Sequence, residues 1–137
     1  MRQKSLLEFK GRIVCASVAA SGDRLSKMTR KSSPGLATER DSVMIKNTTL
    51  TGAINLSVHF GVAKIVLLGI DQKTTDGKHW HHTPHPWNPT ANCWQRQQMD
   101  MPRIAEDLKA LNIPCVNASP GSALALWPIV NLEDHVA

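Results

Sequence analysis

An α/β domain on a small, mainly parallel sheet of about four strands is the fold that this 137-residue chain predicts. Ile65-Val66-Leu67-Leu68-Gly69-Ile70 is an apolar run with nothing polar inside it, the pattern of a strand buried on both faces of a parallel sheet. Strand-like and helix-like segments alternate from residue 42 to residue 117, and helical crossovers are how parallel strands are joined. An acidic residue, Asp71, stands where the apolar run stops, and a histidine-rich loop follows, at the strand end where open α/β sheets place their ligands.

The elements follow in chain order. Residues 1–10 are a polar lead-in with a short amphipathic piece at Leu6, Leu7 and Phe9. Arg12-Ile13-Val14-Cys15-Ala16-Ser17-Val18-Ala19 has the β-branched content of a first strand, bounded by Gly11 and by Ser21-Gly22-Asp23. Residues 23–41 are rich in Lys, Arg and Ser, carry no apolar period and read as a long loop. Ser42-Val43-Met44-Ile45-Lys46 is a second strand, and Asn47-Thr48-Thr49 supplies capping side chains for a helix from about residue 50 to Gly61. Leu50, Ala53, Ile54, Ser57, Val58 and Gly61 form its buried stripe, with Asn55 and His59 off it. The strand at 65–70 is expected to pair parallel to the second strand. Beyond the turn-rich Pro86-Trp87-Asn88-Pro89, a helical beat runs from Trp94 to Leu111, either starting anew near Pro102 or kinked there. Ile113-Pro114-Cys115-Val116-Asn117 is a last strand, and Leu124, Leu126 and Trp127 pack beyond it.

Composition sets bounds. The chain suits one domain, 1–137, with a basic, partly loop-like segment at 1–40 and a core at 41–130. Three widely spaced cysteines, Cys15, Cys93 and Cys115, fit buried thiols in a reducing compartment better than a disulfide framework. No apolar run approaches the roughly 20 residues of a bilayer span, and the N-terminus lacks a signal-peptide core, so a cytoplasmic protein without a membrane partner is expected. The net charge of +5 is concentrated in residues 1–46, which hold ten basic against four acidic residues. Such a segment is either simply solvated or a steering patch for anions, nucleic acid included.

In a parallel sheet the carboxyl ends of neighbouring strands share one edge. Asn47-Thr48-Thr49, Asp71 with its loop, and residues 117–122 are therefore expected around one crevice, and a helix start there attracts phosphate. No glycine-rich phosphate-loop motif accompanies them. Four of the six histidines, His79, His81, His82 and His85, fall within seven residues, and three of the four tryptophans crowd the same loop. Three readings stay open. His79, His81 and His85 could hold a divalent ion such as zinc, with Asp71 able to complete the shell. One imidazole could act as a general base. Or the loop could pack on the sheet edge with no chemistry.

Four ordered motifs carry a family resemblance over about residues 40–130. They are Thr51-Gly52-Ala53-Ile54-Asn55-Leu56, Phe60-Gly61-Val62-Ala63-Lys64 running into the strand that ends Gly69-Ile70-Asp71, Gly77-Lys78-His79-Trp80-His81, and Val116-Asn117-Ala118-Ser119-Pro120-Gly121-Ser122-Ala123-Leu124. The set resembles that of mostly uncharacterised phage and prophage proteins. Their core is in turn similar to the Rossmann-like fold of bacterial sialyltransferases and of an archaeal hydroxymethylpterin pyrophosphokinase domain. The resemblance implies a Rossmann-like three-layer domain that binds a nucleotide or nucleotide sugar, with a host-cell cytoplasmic location. It places Thr51 and Gly52 at the nucleotide and a loop histidine, His79 or His81, near the acceptor for inverting glycosyl transfer; the shared crevice adds Thr49, Asn117 and Ser119 as binding residues and Asp71 as a catalytic candidate. The chain departs from the pattern at Leu50, where Asn is frequent, and at Thr83-Pro84, where Gly-Asp is usual. No counterpart of an upstream strand and Gly-Pro-Ser loop precedes Arg12, so a partner subunit or a second copy is expected to complete the site. The competing expectation is a non-catalytic metal- or phosphate-binding accessory domain.

Overall fold

Residues 10–16, 23, 25–73 and 93–135 are described by the computed structural model. They form a mixed α/β fold in which every ladder between strands is parallel: β1 (Ile13–Cys15) with β2 (Leu25–Lys27), β3 (Thr29–Lys31) with β4 (Ser42–Met44), and β5 (Ile65–Leu67) with β6 (Cys115–Asn117). Three helices accompany them among the described residues, α1 (Thr49–His59), α2 (Cys93–Gln98) and α3 (Met101–Ala110), with a short 3-10 turn at Leu132–Asp134.

The segment expected as a long loop contains two of these strands. β2 and β3 are separated only by Met28, whose N–H reaches Cys15 O at 2.9 Å, while the next N–H, of Thr29, reaches Asp41 O at 2.7 Å. Successive amides of an extended chain point to opposite edges, so one extended run lies between β1 and β4. Its side chains are exposed or half-buried, which leaves no apolar alternation to read. Backbone bonds make the ladder, and the basic residues decorate it: Arg30 Nε donates to Ile45 O at 2.8 Å, and Lys31 lies 3.4 Å from Glu39. That neighbourhood, with the Glu39 backbone amide as the larger cause and the Lys31 charge next, holds the Glu39 carboxyl below its usual range.

β5 also departs from expectation. It ends at Leu67, because Leu68 is exposed and Gly69 takes φ 71°. Its parallel partner is β6, in the register Ile65 to Cys115 and Leu67 to Asn117. No ladder joins it to β4 among the described residues.

One apolar cluster holds these pieces together. Met44 from β4, Leu50 and Ile54 from α1, Ile65 and Leu67 from β5, Cys115 from β6, and Met101, Ile104 and Leu108 from α3 meet Leu124 and Trp127 of the C-terminal stretch. The α3 residues recur at three- and four-residue spacing on one face, and full burial of such a side chain contributes roughly 1.5–3 kcal/mol. Pro102 lies at the start of α3, so the beat from Trp94 to Leu111 is two helices and not one kinked helix. The buried face of α1 is rotated from the expected stripe: Leu50, Thr51, Gly52, Ile54 and Asn55 are buried, whereas Ala53 and Gly61 are exposed.

Candidate functional site

Between β4 and α1 the chain turns within four residues, 45–48. Asn47 takes φ 60°, a left-handed conformation that Asn tolerates better than most residues. Thr48 caps the helix by accepting from Leu50 N at 3.3 Å. Thr51 then ties the corner internally, since its hydroxyl donates to Thr48 O at 2.9 Å and accepts from Lys46 N at 3.3 Å. Gly52 follows for want of room: a Cβ there would lie 2.6 Å from Ile45 Cγ1.

A second corner joins the ends of β5 and β6. Asn117 is fully buried, with Oδ1 accepting from Ser119 N at 3.0 Å and Nδ2 donating to Leu124 O at 3.2 Å. The Ser119 hydroxyl accepts from Ile70 N at 2.8 Å, Ser122 Oγ donates to Ile70 O, and Ala123 N donates to Asp71 O at 2.9 Å. These bonds fix the strand end at Asp71 while leaving that residue exposed.

Helix α2 brings the β4 end and the β5 end to one place. A polar cleft of about 280 Å³ is lined by Asn47 and by Cys93, Arg96 and Gln97 of α2. Behind it, the buried Asp100 carboxylate meets Lys46 Nζ at 3.0 Å and Asn47 Nδ2 at 3.4 Å, which neutralises Lys46 and holds the left-handed Asn47. From the β5 side, Gln72 Nε2 donates to Gln97 Oε1 at 3.2 Å. Arg96 is an exposed cation with no ion-pair partner among the described residues.

The expected site residues separate into groups. His79, His81 and His85 lie outside the described residues; the chain leaves the described fold at Lys73, just after Gln72, and rejoins it at Cys93 in the cleft wall. Thr51, Gly52, Asn117 and Ser119 are buried, and the polar side chains among them are engaged by the protein itself. Thr49 and Gly52 line a different, apolar groove of about 140 Å³ beside β1. Among the described residues, no group of three or more His, Cys, Asp or Glu side chains is placed to hold a metal ion, and no helix is long and apolar enough to cross a membrane. Sequence reasoning missed Arg96, Gln97, Gln72 and Asp100; the one available signal was the polar Gln95-Arg96-Gln97-Gln98 run, which no apolar stripe interrupts.

Cys93 and Cys115 differ sharply in environment. Cys93 is half-buried at the cleft, whereas burial in the core pushes the Cys115 thiol up to about 12. The thiolate is the reactive form, so Cys93 is expected to be alkylated by iodoacetamide in the native protein while Cys115 reacts only on unfolding. Peptide mass spectrometry with and without denaturant checks this; equal native rates at the two positions would place Cys115 outside the core.

Comparison of the chain with protein-family models, with curated proteins and with solved structures returned no match.

Proposed function

We propose that this chain is a Rossmann-like, three-layer domain that binds a nucleotide or nucleotide sugar in the cleft formed by Asn47, Cys93, Arg96 and Gln97. The observation that carries the reading is the Arg96 guanidinium, exposed and without an ion-pair partner among the described residues, beside a polar cleft where the ends of β4 and β5 are bridged by α2. A guanidinium matches a phosphate in two-point geometry and stays charged at any ordinary pH. Lys46 cannot take this part because Asp100 already neutralises it. The amino end of the 11-residue helix α1 begins two residues from Asn47 and adds its partial positive charge to the same region. Thr51, Gly52, Asn117 and Ser119 act in this scheme by shaping the corners, and Asp71 by its exposed carboxylate beside them. Glycosyl transfer with His79 or His81 as general base is the catalytic extension of the proposal, supported by where their segment joins the fold.

Trp94 on α2 gives a reporter for the test, a fluorescence titration with nucleoside monophosphates and nucleotide sugars. Saturable binding is expected, weakened about tenfold to a hundredfold by Arg96→Ala, the range for loss of a charge-assisted contact. Binding should also fall with added salt. Failure of every nucleotide to bind at millimolar concentration, or binding indifferent to Arg96→Ala, sinks the proposal. Equally tight binding of inorganic phosphate would point instead to a phosphate-binding accessory domain.

A further inference from the structure

Gln72 combines two costs at one residue. Its backbone takes φ 52°, which a long side chain adopts rarely, and its Oε1 is buried without a hydrogen-bond partner among the described residues, the residue as a whole being 8% exposed. Orphaned buried acceptors and left-handed non-glycine residues each oppose folding, and both concentrate at ligand sites. Here they occur on the residue after Asp71, and the Gln72 amide touches a wall of the cleft, since its Nε2 donates to Gln97 Oε1 at 3.2 Å. That bond fixes which end of each amide remains unused. Gln72 offers an acceptor, Oε1, and Gln97 retains its donor, Nε2.

We propose that Gln72 is a specificity-determining residue of this cleft, whose Oε1 accepts a hydrogen bond from the exocyclic amine of a bound base. The inference rests on the nucleotide reading above and narrows it to adenine or cytosine read on the Watson–Crick edge, where guanine sets a ring N–H beside its amine. An aminated base presents an N–H donor next to a ring-nitrogen acceptor, and these complement the Gln72 acceptor and the Gln97 donor respectively. Arg96 engages the phosphate on the same helix, one residue from Gln97. Gln97 lines the cleft and is only half-buried, whereas Gln72 borders it through Gln97, so the proposal includes a shift of the Gln97 side chain as the base docks. The acceptor is thus held out of water until a ligand donor reaches it, which favours the ligand that carries one over the ligand that does not.

The test compares AMP and CMP with analogues in which the amine is replaced by hydrogen, purine riboside 5′-monophosphate and pyrimidin-2-one riboside 5′-monophosphate. In the wild-type protein at least one aminated nucleotide is expected to bind about tenfold more tightly than its analogue. Gln72→Met, which keeps length and bulk, is expected to abolish that preference by bringing the aminated nucleotide to the level of its analogue, with Arg96 still required for both. Because the wild-type comparison needs no variant, a misfolded Gln72→Met does not block the test. Equal affinity for nucleotide and analogue, with Arg96 still required, overturns the role of Gln72 alone. A preference that survives Gln72→Met overturns it as well. No binding by any of the four overturns both this inference and the nucleotide reading.

Discussion

Asn55→Ala is expected to lower the unfolding free energy by about 3 kcal/mol or more and the melting temperature by on the order of 10 °C. Asn55 is fully buried on α1, and its amide is used at both ends: Oδ1 accepts from Met44 N at 2.8 Å and from Ala37 N at 2.9 Å, while Nδ2 donates to Ala37 O at 3.0 Å. The side chain therefore joins α1 to β4 and to the connection that precedes β4. Alanine removes those bonds and leaves the buried Met44 amide and the half-buried Ala37 amide without their partner, and a buried unsatisfied donor costs roughly 1–3 kcal/mol. His59 is the natural comparison, one turn further along the helix. Its Nε2 lies 2.8 Å from Ser42 O and 3.4 Å from Asn55 Nδ2. A nitrogen that donates to the carbonyl cannot also accept from the amide, so we take the shorter contact as the bond. His59→Ala is half-exposed and loses one such bond, so it should cost only about 0.5–1.5 kcal/mol. Urea denaturation of both variants decides the matter. If Asn55→Ala proved no more damaging than His59→Ala, Asn55 would not be the clasp described.

Gly52→Ala is expected to destabilise the protein, against the ordinary trend for a helix. In an open helix this change gains about 1 kcal/mol of propensity. Here the new methyl would lie 2.6 Å from Ile45 Cγ1, closer than carbon atoms approach, and 3.1 Å from Ile45 Cδ1, a tight contact, and overpacking of this kind costs typically 1–3 kcal/mol. Trimming the neighbour provides the check. In the double variant Gly52→Ala with Ile45→Ala the clash disappears and the propensity gain returns, so the two changes should couple by about 1–3 kcal/mol in the favourable direction. Additive effects, or a stabilising Gly52→Ala, would mean that α1 does not approach Ile45 so closely. The outcome bears on the site, because Ile45 and Gly52 flank the corner that carries Asn47.

These two residues show how the reading of motifs changes once the chain is folded. The Thr51-Gly52 and Asn117-Ala118-Ser119 signatures were expected at a ligand; in the structure Thr51 binds Thr48 and Lys46, Gly52 makes room for Ile45, and Asn117 and Ser119 sew the β5 and β6 ends together. Small and polar residues at strand ends suit both roles, since a sharp corner needs internal hydrogen-bond partners as much as a ligand does. The cleft residues were harder to find. Arg96 and Gln97 sit on a six-residue helix without a buried residue, so no periodicity marks them, and Gln72 meets Gln97 across 25 positions of sequence.

By itself the sequence determined the local grammar: parallel α/β alternation, the positions of β4, α1, β5 and β6, a helix cap within Asn47-Thr48-Thr49 and a helix end near Gly61, because apolar period, capping and φ preference act within a few residues. Only the tertiary structure decided that residues 25–27 and 29–31 form strands, that β5 pairs with β6, that Asn55 faces inward, and that Asn47, Gln72, Arg96 and Gln97 converge. Those outcomes depend on backbone ladders and buried hydrogen bonds between distant segments, which leave no periodic trace in the residues that make them.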